Sequence, residues 1–210
     1  MLRIRIELPD QPGSLARVTW TLGVLGADIA QISVLERGGG RALDDITLEW
    51  RGQPRDRLLS ALRSTPGVKP VGVWAARSTP EALPEIDVVA HMVTNPRRAM
   101  TTLTDAAPIV LAADWACVTD ESGAVALASV GAPANVPTPT RTPPRVVTEP
   151  HESRLVRAPL PDAYVLSVAR SEGPPFHRSE LGRLQRMLDV LVSLPDVARP
   201  DPAAALDLTG

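Results

Sequence analysis

Leu2, Ile4, Ile6 and Leu8 alternate with Arg3, Arg5 and Glu7. A period of two reads as a strand with one buried face. The alternation stops at Pro9-Asp10-Gln11-Pro12-Gly13-Ser14-Leu15. From Leu15 onward Val18, Leu22 and Leu25 keep helical spacing instead. The chain must therefore turn from strand to helix within a few residues. Pro12 has no N–H to donate, and Gly13 can take backbone angles closed to other residues. The first N–H groups of the helix have no intrahelical partner and face this loop. A carboxylate or similar small anion can bind there. The same residues also suit an ordinary strand-to-helix turn, since a lone turn is a weak motif.

The following segments constrain the fold further. Gly26 suits the left-handed end of the helix. Ile29 to Arg37 reads as a second strand, and Gly38-Gly39-Gly40 as a hairpin turn. Ala42 to Trp50 is a third strand, with Ile46, Leu48 and Trp50 on one face. Leu58, Leu59 and Leu62 mark a helix over Arg55 to Ser64, broken by Pro66-Gly67. Lys69 to Ala75 makes a fourth strand. The expected order is βαββαβ, the ferredoxin-like split motif.

This order, with an Asp-x-Pro-Gly-x-Leu turn after the first strand, resembles an ACT domain over residues 1–75. Gly26-Ala27-Asp28-Ile29 is similar to that family's short link into the second strand. The resemblance implies regulatory binding of a small molecule, usually an amino acid. The ligand would sit near the first turn and the start of the second strand, often at an interface between two such domains. The implied ligand-binding residues are Asp10, Gln11, Pro12, Gly13, Ser14 and Leu15, with Asp28, Ile29, Ala30 and Gln31. The family often has Asn at the first loop position. An Asp there can accept from an ammonium group but repels a carboxylate, which fixes how an amino acid would have to lie.

Composition narrows the function classes. The chain has 210 residues, 44 % of them hydrophobic, enough for one large or two small domains. The net charge of −2 gives no basic excess for nucleic acid, and 3 % aromatic residues leave little for base stacking. Cys117 is the only cysteine, so an intrachain disulfide and a multi-cysteine metal site are excluded. A reducing compartment suits that usage. The amino terminus reads as a charged strand rather than a signal peptide, and no run nears the ~18 apolar residues of a membrane span. A cytoplasmic protein is expected.

Residues 76–84 read as a linker. Ile86, Val89, Ala90 and Val93 give a helical stripe, Asn95-Pro96 a second helix start, and Pro108 to Ala113 is ambiguous between helix and strand. Trp115 to Thr119 and Val125 to Val130 read as a hairpin around Asp120-Glu121-Ser122-Gly123. Residues 131–150 hold six prolines, which exclude a central strand or helix interior and read as a long loop. Arg154 to Ala158 and Ala163 to Arg170 are further strands. Ser179 is placed to cap a last helix carrying Leu181, Leu184, Leu188 and Leu191, and 195–210 reads as a flexible tail. Two helices, a hairpin, strands and a closing helix resemble a GAF-like domain over residues 85–194. The proline-rich loop departs from that family where it usually builds pocket-lining structure.

Catalytic signatures are missing. His91, His151 and His177 are scattered with no metal-ligand spacing. Asp44 and Asp45 are strand neighbours pointing to opposite faces. Cys117 lies in an apolar strand and reads as a buried thiol. No nucleophile elbow, P-loop or dinucleotide fingerprint occurs. The expectation is an α+β protein of two domains that binds an amino acid or similar metabolite without catalysis. No cofactor, metal, nucleic acid or membrane is expected as a partner. A homodimer is expected, because a split sheet leaves edges to be covered. The alternatives are a purely structural dimerisation module and a regulatory subunit of a metabolic enzyme.

Overall fold

The structure is a computed structural model and describes residues 1–51, 54–76, 84–133, 135–136, 146–149 and 152–198. Most of the expected linker, much of the proline-rich loop and residues 199–210 of the expected tail lie outside the described residues. The chain is α+β, with two antiparallel sheets and five α-helices among the described residues. It divides into two compact units: Met1–Pro80 with Glu172–Pro174, and Glu81–Ser171 with Pro175–Gly210.

The first unit contains β1 (Leu2–Pro9), α1 (Ser14–Val24), β2 (Asp28–Gly38), β3 (Arg41–Glu49), α2 (Arg55–Ser64) and β4 (Lys69–Ala75). The strands lie in the order β2-β3-β1-β4. Alternation in β1 sends Leu2, Ile4, Ile6 and Leu8 into a core with Val18 and Leu22 of α1 and Leu58 and Leu62 of α2. Arg3 and Arg5 point to the other face, where both bond Asp45 of β3. The end of α1 is a Schellman motif. Gly26 sits at φ 78°, its N–H bonds the Gly23 carbonyl at 2.9 Å, and the Ala27 N–H reaches the Leu22 carbonyl at 3.0 Å. The β2–β3 hairpin turns at Gly39 and Gly40, both at positive φ. Two such residues match the twist of the flanking strands.

The second unit contains α3 (Pro84–Thr94), α4 (Ala99–Val110), β5 (Trp115–Thr119), β6 (Val125–Ala128), β7 (Val147–Glu149), β8 (Glu152–Pro159), β9 (Val165–Ala169) and α5 (Arg178–Ser193). Its strand order is β6-β5-β9-β8-β7. Met100, Leu103 and Ala107 of α4 share a core with Val118, Val156, Leu166 and Val168 of the sheet and with Leu184 and Leu188 of α5.

Several expectations change here. On α3 the buried residues are Val88 and Met92, while Ile86 and Val93 are 58 % and 53 % exposed. The helix has apolar residues around most of its circumference, so periodicity offers two competing stripes. Residues 108–110 extend α4, with Pro108 in its last turn. The cap of α5 is His177, not Ser179: its ring accepts from the Ser179 N–H, and Glu180 accepts from the His177 N–H. Within the proline-rich stretch, residues 147–149 form β7, an edge strand on β8. That position suits a segment flanked by prolines, which lack a ladder donor.

Cys117 is fully buried in β5. Burial pushes its thiol up to about 11, although the Ser167 hydroxyl and the Arg157 guanidinium favour the thiolate. The thiolate is the reactive form. Native protein should therefore resist a disulfide reagent such as dithionitrobenzoate at pH 8, and one thiol should react once urea is added. Rapid stoichiometric labelling without urea would contradict this burial.

Candidate functional site

The turn between β1 and α1 is held by its own backbone. The Gln11 N–H bonds the Pro9 carbonyl at 2.9 Å, and the Ser14 N–H bonds the Gln11 carbonyl at 3.1 Å. Gly13 is the helix N-cap at φ 84°, with no side-chain cap. A side chain at Gly13 would meet open space but would carry the strain of a left-handed backbone. The Asp10 N–H bonds the Gly40 carbonyl at 2.9 Å, tying this turn to the β2–β3 hairpin. The Arg37 Nε then lies 3.9 Å from Asp10 Oδ1. Asp10 and Arg37 are both substantially exposed, and Ser14 is buried.

Asp44 is not among the residues that the resemblance implies. It stands opposite Ile6 of β1 and Val34 of β2. That parity puts it with Ala42, Ile46 and Leu48, on the helix-covered face. Asp44 is only 3 % exposed, and its Oδ1 has no hydrogen-bond partner among the described residues. Burial raises its carboxyl above the ordinary value. The Arg37 guanidinium pulls the other way, and the Asp10 and Asp45 carboxylates add to the rise. A buried carboxylate without a bonded donor is costly. Asp10, Arg37 and Asp44 thus form one electrostatic group at the end of the sheet where α1 begins. Two carboxylates and one guanidinium are complementary to an ammonium group that carries a carboxylate.

The sequence-derived residues are not all brought together. Asp10, Gln11, Pro12, Gly13, Ser14 and Leu15 are contiguous at this turn. Asp28 pairs with Glu49, whereas Pro9 pairs with Arg41. Asp28, Ile29, Ala30 and Gln31 therefore lie toward the opposite end of the sheet, about 20–26 Å away at the rise of a strand. Within one chain the two groups do not meet. A signal for Asp44 existed in the sequence, because a carboxylate interrupts the apolar face that Ile46 and Leu48 define.

His91 is exposed on α3, His177 caps α5, and His151 lies outside the described residues. Among the described residues no group of three His, Cys, Asp or Glu is placed to hold a metal ion. No helix among them is long and apolar enough to cross a membrane.

No family model matches the chain, and no curated protein matches it. Among solved structures the chain is similar to an unknown protein from Galdieria sulphuraria. The identity is 14 % and the TM-score 0.33, over 90 % of this chain and 91 % of that one. It is also similar to a formyltetrahydrofolate deformylase from Pseudomonas putida KT2440. There the identity is 15 % and the TM-score 0.28, over 44 % of this chain and 37 % of that one. The chain thus spans well under half of the deformylase, and at these TM-scores neither likeness carries an argument.

Proposed function

We propose that this chain is a cytoplasmic regulatory sensor that binds an amino acid or a similar amine-bearing metabolite in an ACT-like first unit, without catalysis. The observation that carries this reading is Asp44 Oδ1, buried and unpartnered within the electrostatic reach of Asp10 and Arg37. An ammonium group would supply the missing donor by charge-assisted hydrogen bonds. Arg37 and the N-terminal end of α1 would then take the ligand's carboxylate. The second unit, read as GAF-like, would pass occupancy on to a partner.

A homodimer through β2 goes with this reading. β2 is a long edge strand, which leaves one side of its backbone unpaired within the sheet. Antiparallel pairing of two copies centred on Ser33 would set Asp28 of one protomer opposite Gly38 of the other. The Asp28–Gln31 group would then lie beside the Asp10 turn of the second copy, which completes the site. The same edge supports the purely structural dimerisation reading.

A thermal-shift panel of amino acids separates the two. A ligand at a hundred times its Kd adds about 2.7 kcal/mol to the stability of the native state. An amino acid should raise the melting temperature, and its keto-acid analogue should not. Asp10→Asn and Asp44→Asn should each abolish the shift. Light scattering at micromolar concentration should give twice the chain mass. A dimer that no amino acid stabilises would leave the structural reading, and a monomer would remove the composite site.

A further inference from the structure

We propose that the groove between α1 and α2 binds a planar aromatic anion, an aryl carboxylate, with its ring against Trp20 and its charge at Arg17. The site lies on the outer surface of the helices and is separate from the Asp10–Asp44 group. Its volume is about 600 Å³, within the ~300–1,000 Å³ usual for small-molecule sites.

Its shape comes from helix spacing. Ala16 and Trp20 are one turn apart on α1, and Ala61 of α2 lines the groove with them. The two alanines leave a slot that larger side chains would close. Trp20 is 72 % exposed, unusual for so large an apolar ring. It forms an aromatic wall that the core does not use.

The polar groups select the ligand. Arg17 is the only charged residue among those lining the groove. Its Nη2 donates to the buried Ser14 hydroxyl at 3.1 Å, which tethers the guanidinium near the helix while leaving further donors. Charge complementarity therefore favours an anion. Thr21 and Thr65 meet between the helices with their hydroxyls 3.0 Å apart. Each also reaches a carbonyl one turn back, Arg17 at 2.9 Å and Ala61 at 3.0 Å. Two protons cannot serve all three contacts at once, and whichever contact goes without one, at least one hydroxyl keeps an acceptor lone pair. That acceptor suits a ring N–H or O–H on the ligand.

The test uses the full chain and two fluorescent probes of similar shape. One is anilinonaphthalene sulfonate, an aromatic anion; the other is the neutral N-phenyl-1-naphthylamine. The parent should bind the sulfonate saturably and with one site per chain. Trp20→Ala should weaken both probes about tenfold, the scale of one aromatic contact. Arg17→Gln should weaken the sulfonate about threefold to fivefold, as for an exposed ion pair, and leave the neutral probe unchanged. Ala61→Met, which keeps helix propensity but fills the slot, should abolish binding of both. An unchanged far-UV spectrum and melting temperature identify each variant as folded. Absence of saturable binding by the parent, or full binding by folded Ala61→Met, overturns the site. Equal loss of both probes in Arg17→Gln overturns its preference for anions. Amino-acid binding at the Asp10–Asp44 group is read separately, through Asp44→Asn.

Discussion

Glu180→Ala should destabilise the second unit by about 3–5 kcal/mol, the cost of leaving a buried charge without its partner. Glu180 in the first turn of α5 and Arg170 just after β9 each expose only 1 % of the side chain, and they bond at 2.8 Å. Arg170 also donates to the Leu111 carbonyl at 2.7 Å, beyond the end of α4, and lies 3.7 Å over the Phe176 ring. Glu180 uses its second oxygen to accept from the His177 N–H at 2.7 Å. One substitution thus breaks the ion pair and half of the α5 capping box. Amide hydrogen exchange should show α5 and β9 losing protection together, and urea unfolding should give the size of the loss. The double variant Arg170→Met with Glu180→Leu should recover much of the stability, because neither charge of this pair is then left buried alone. A loss below about 1 kcal/mol in Glu180→Ala would mean that water reaches the pair, as at an exposed one.

Asp45→Ala and Asp44→Asn should act in opposite directions, although the two residues are neighbours. Asp45 is 5 % exposed and accepts from Arg5 Nε at 2.7 Å and from Arg3 Nε at 2.9 Å. Removing it leaves two arginines without this partner, so a loss of about 3–5 kcal/mol is expected. Asp44 has no such donors, and Asn keeps its shape without its charge. Asp44→Asn should therefore stabilise the ligand-free protein at neutral pH by about 1 kcal/mol, the scale of one buried polar group's penalty. The pH dependence fixes the cause. The Asp44 carboxyl is raised above 3.8 in the folded state, chiefly by burial. The native state then holds the proton more tightly than the unfolded chain does. Stability falls as pH rises from the ordinary value through the raised one, and the full cost is present above it. The advantage of Asp44→Asn should be widest at neutral pH and should close in acid. An advantage that grows in acid would reject the assignment.

Most of the first unit was legible in the sequence because the core residues of β1, α1, β3 and α2 keep the spacing of one strand face or one helix stripe. The bounds of α2 and β4 follow from Leu58, Leu62 and the stretch Lys69–Ala75, with turns that only Pro and Gly suit. The left-handed Gly13, Gly26 and Gly39 positions were likewise local matters of backbone sterics. The second unit was less legible where local signals compete. On α3 two apolar stripes are available, and packing against α4 and α5 chose Val88 and Met92 over Ile86 and Val93. At the start of α5 the Ser179 hydroxyl suited a cap, but the reciprocal bonds of His177 and Glu180 satisfy two donors at once.

The βαββαβ order and the separation of Asp44 from Asp45 onto opposite faces follow from local pattern alone. Those depend on the strand period of two and on turn chemistry, which act over a few residues. The packed fold is what buries Asp44 with an unpartnered oxygen within the electrostatic reach of Asp10 and Arg37. It also decided that Asp28–Gln31 lie toward the far end of the sheet from that group. Both depend on the register between strands distant in sequence. That register is set by the joint burial of Ile4, Ile46 and Leu22 rather than by any segment alone.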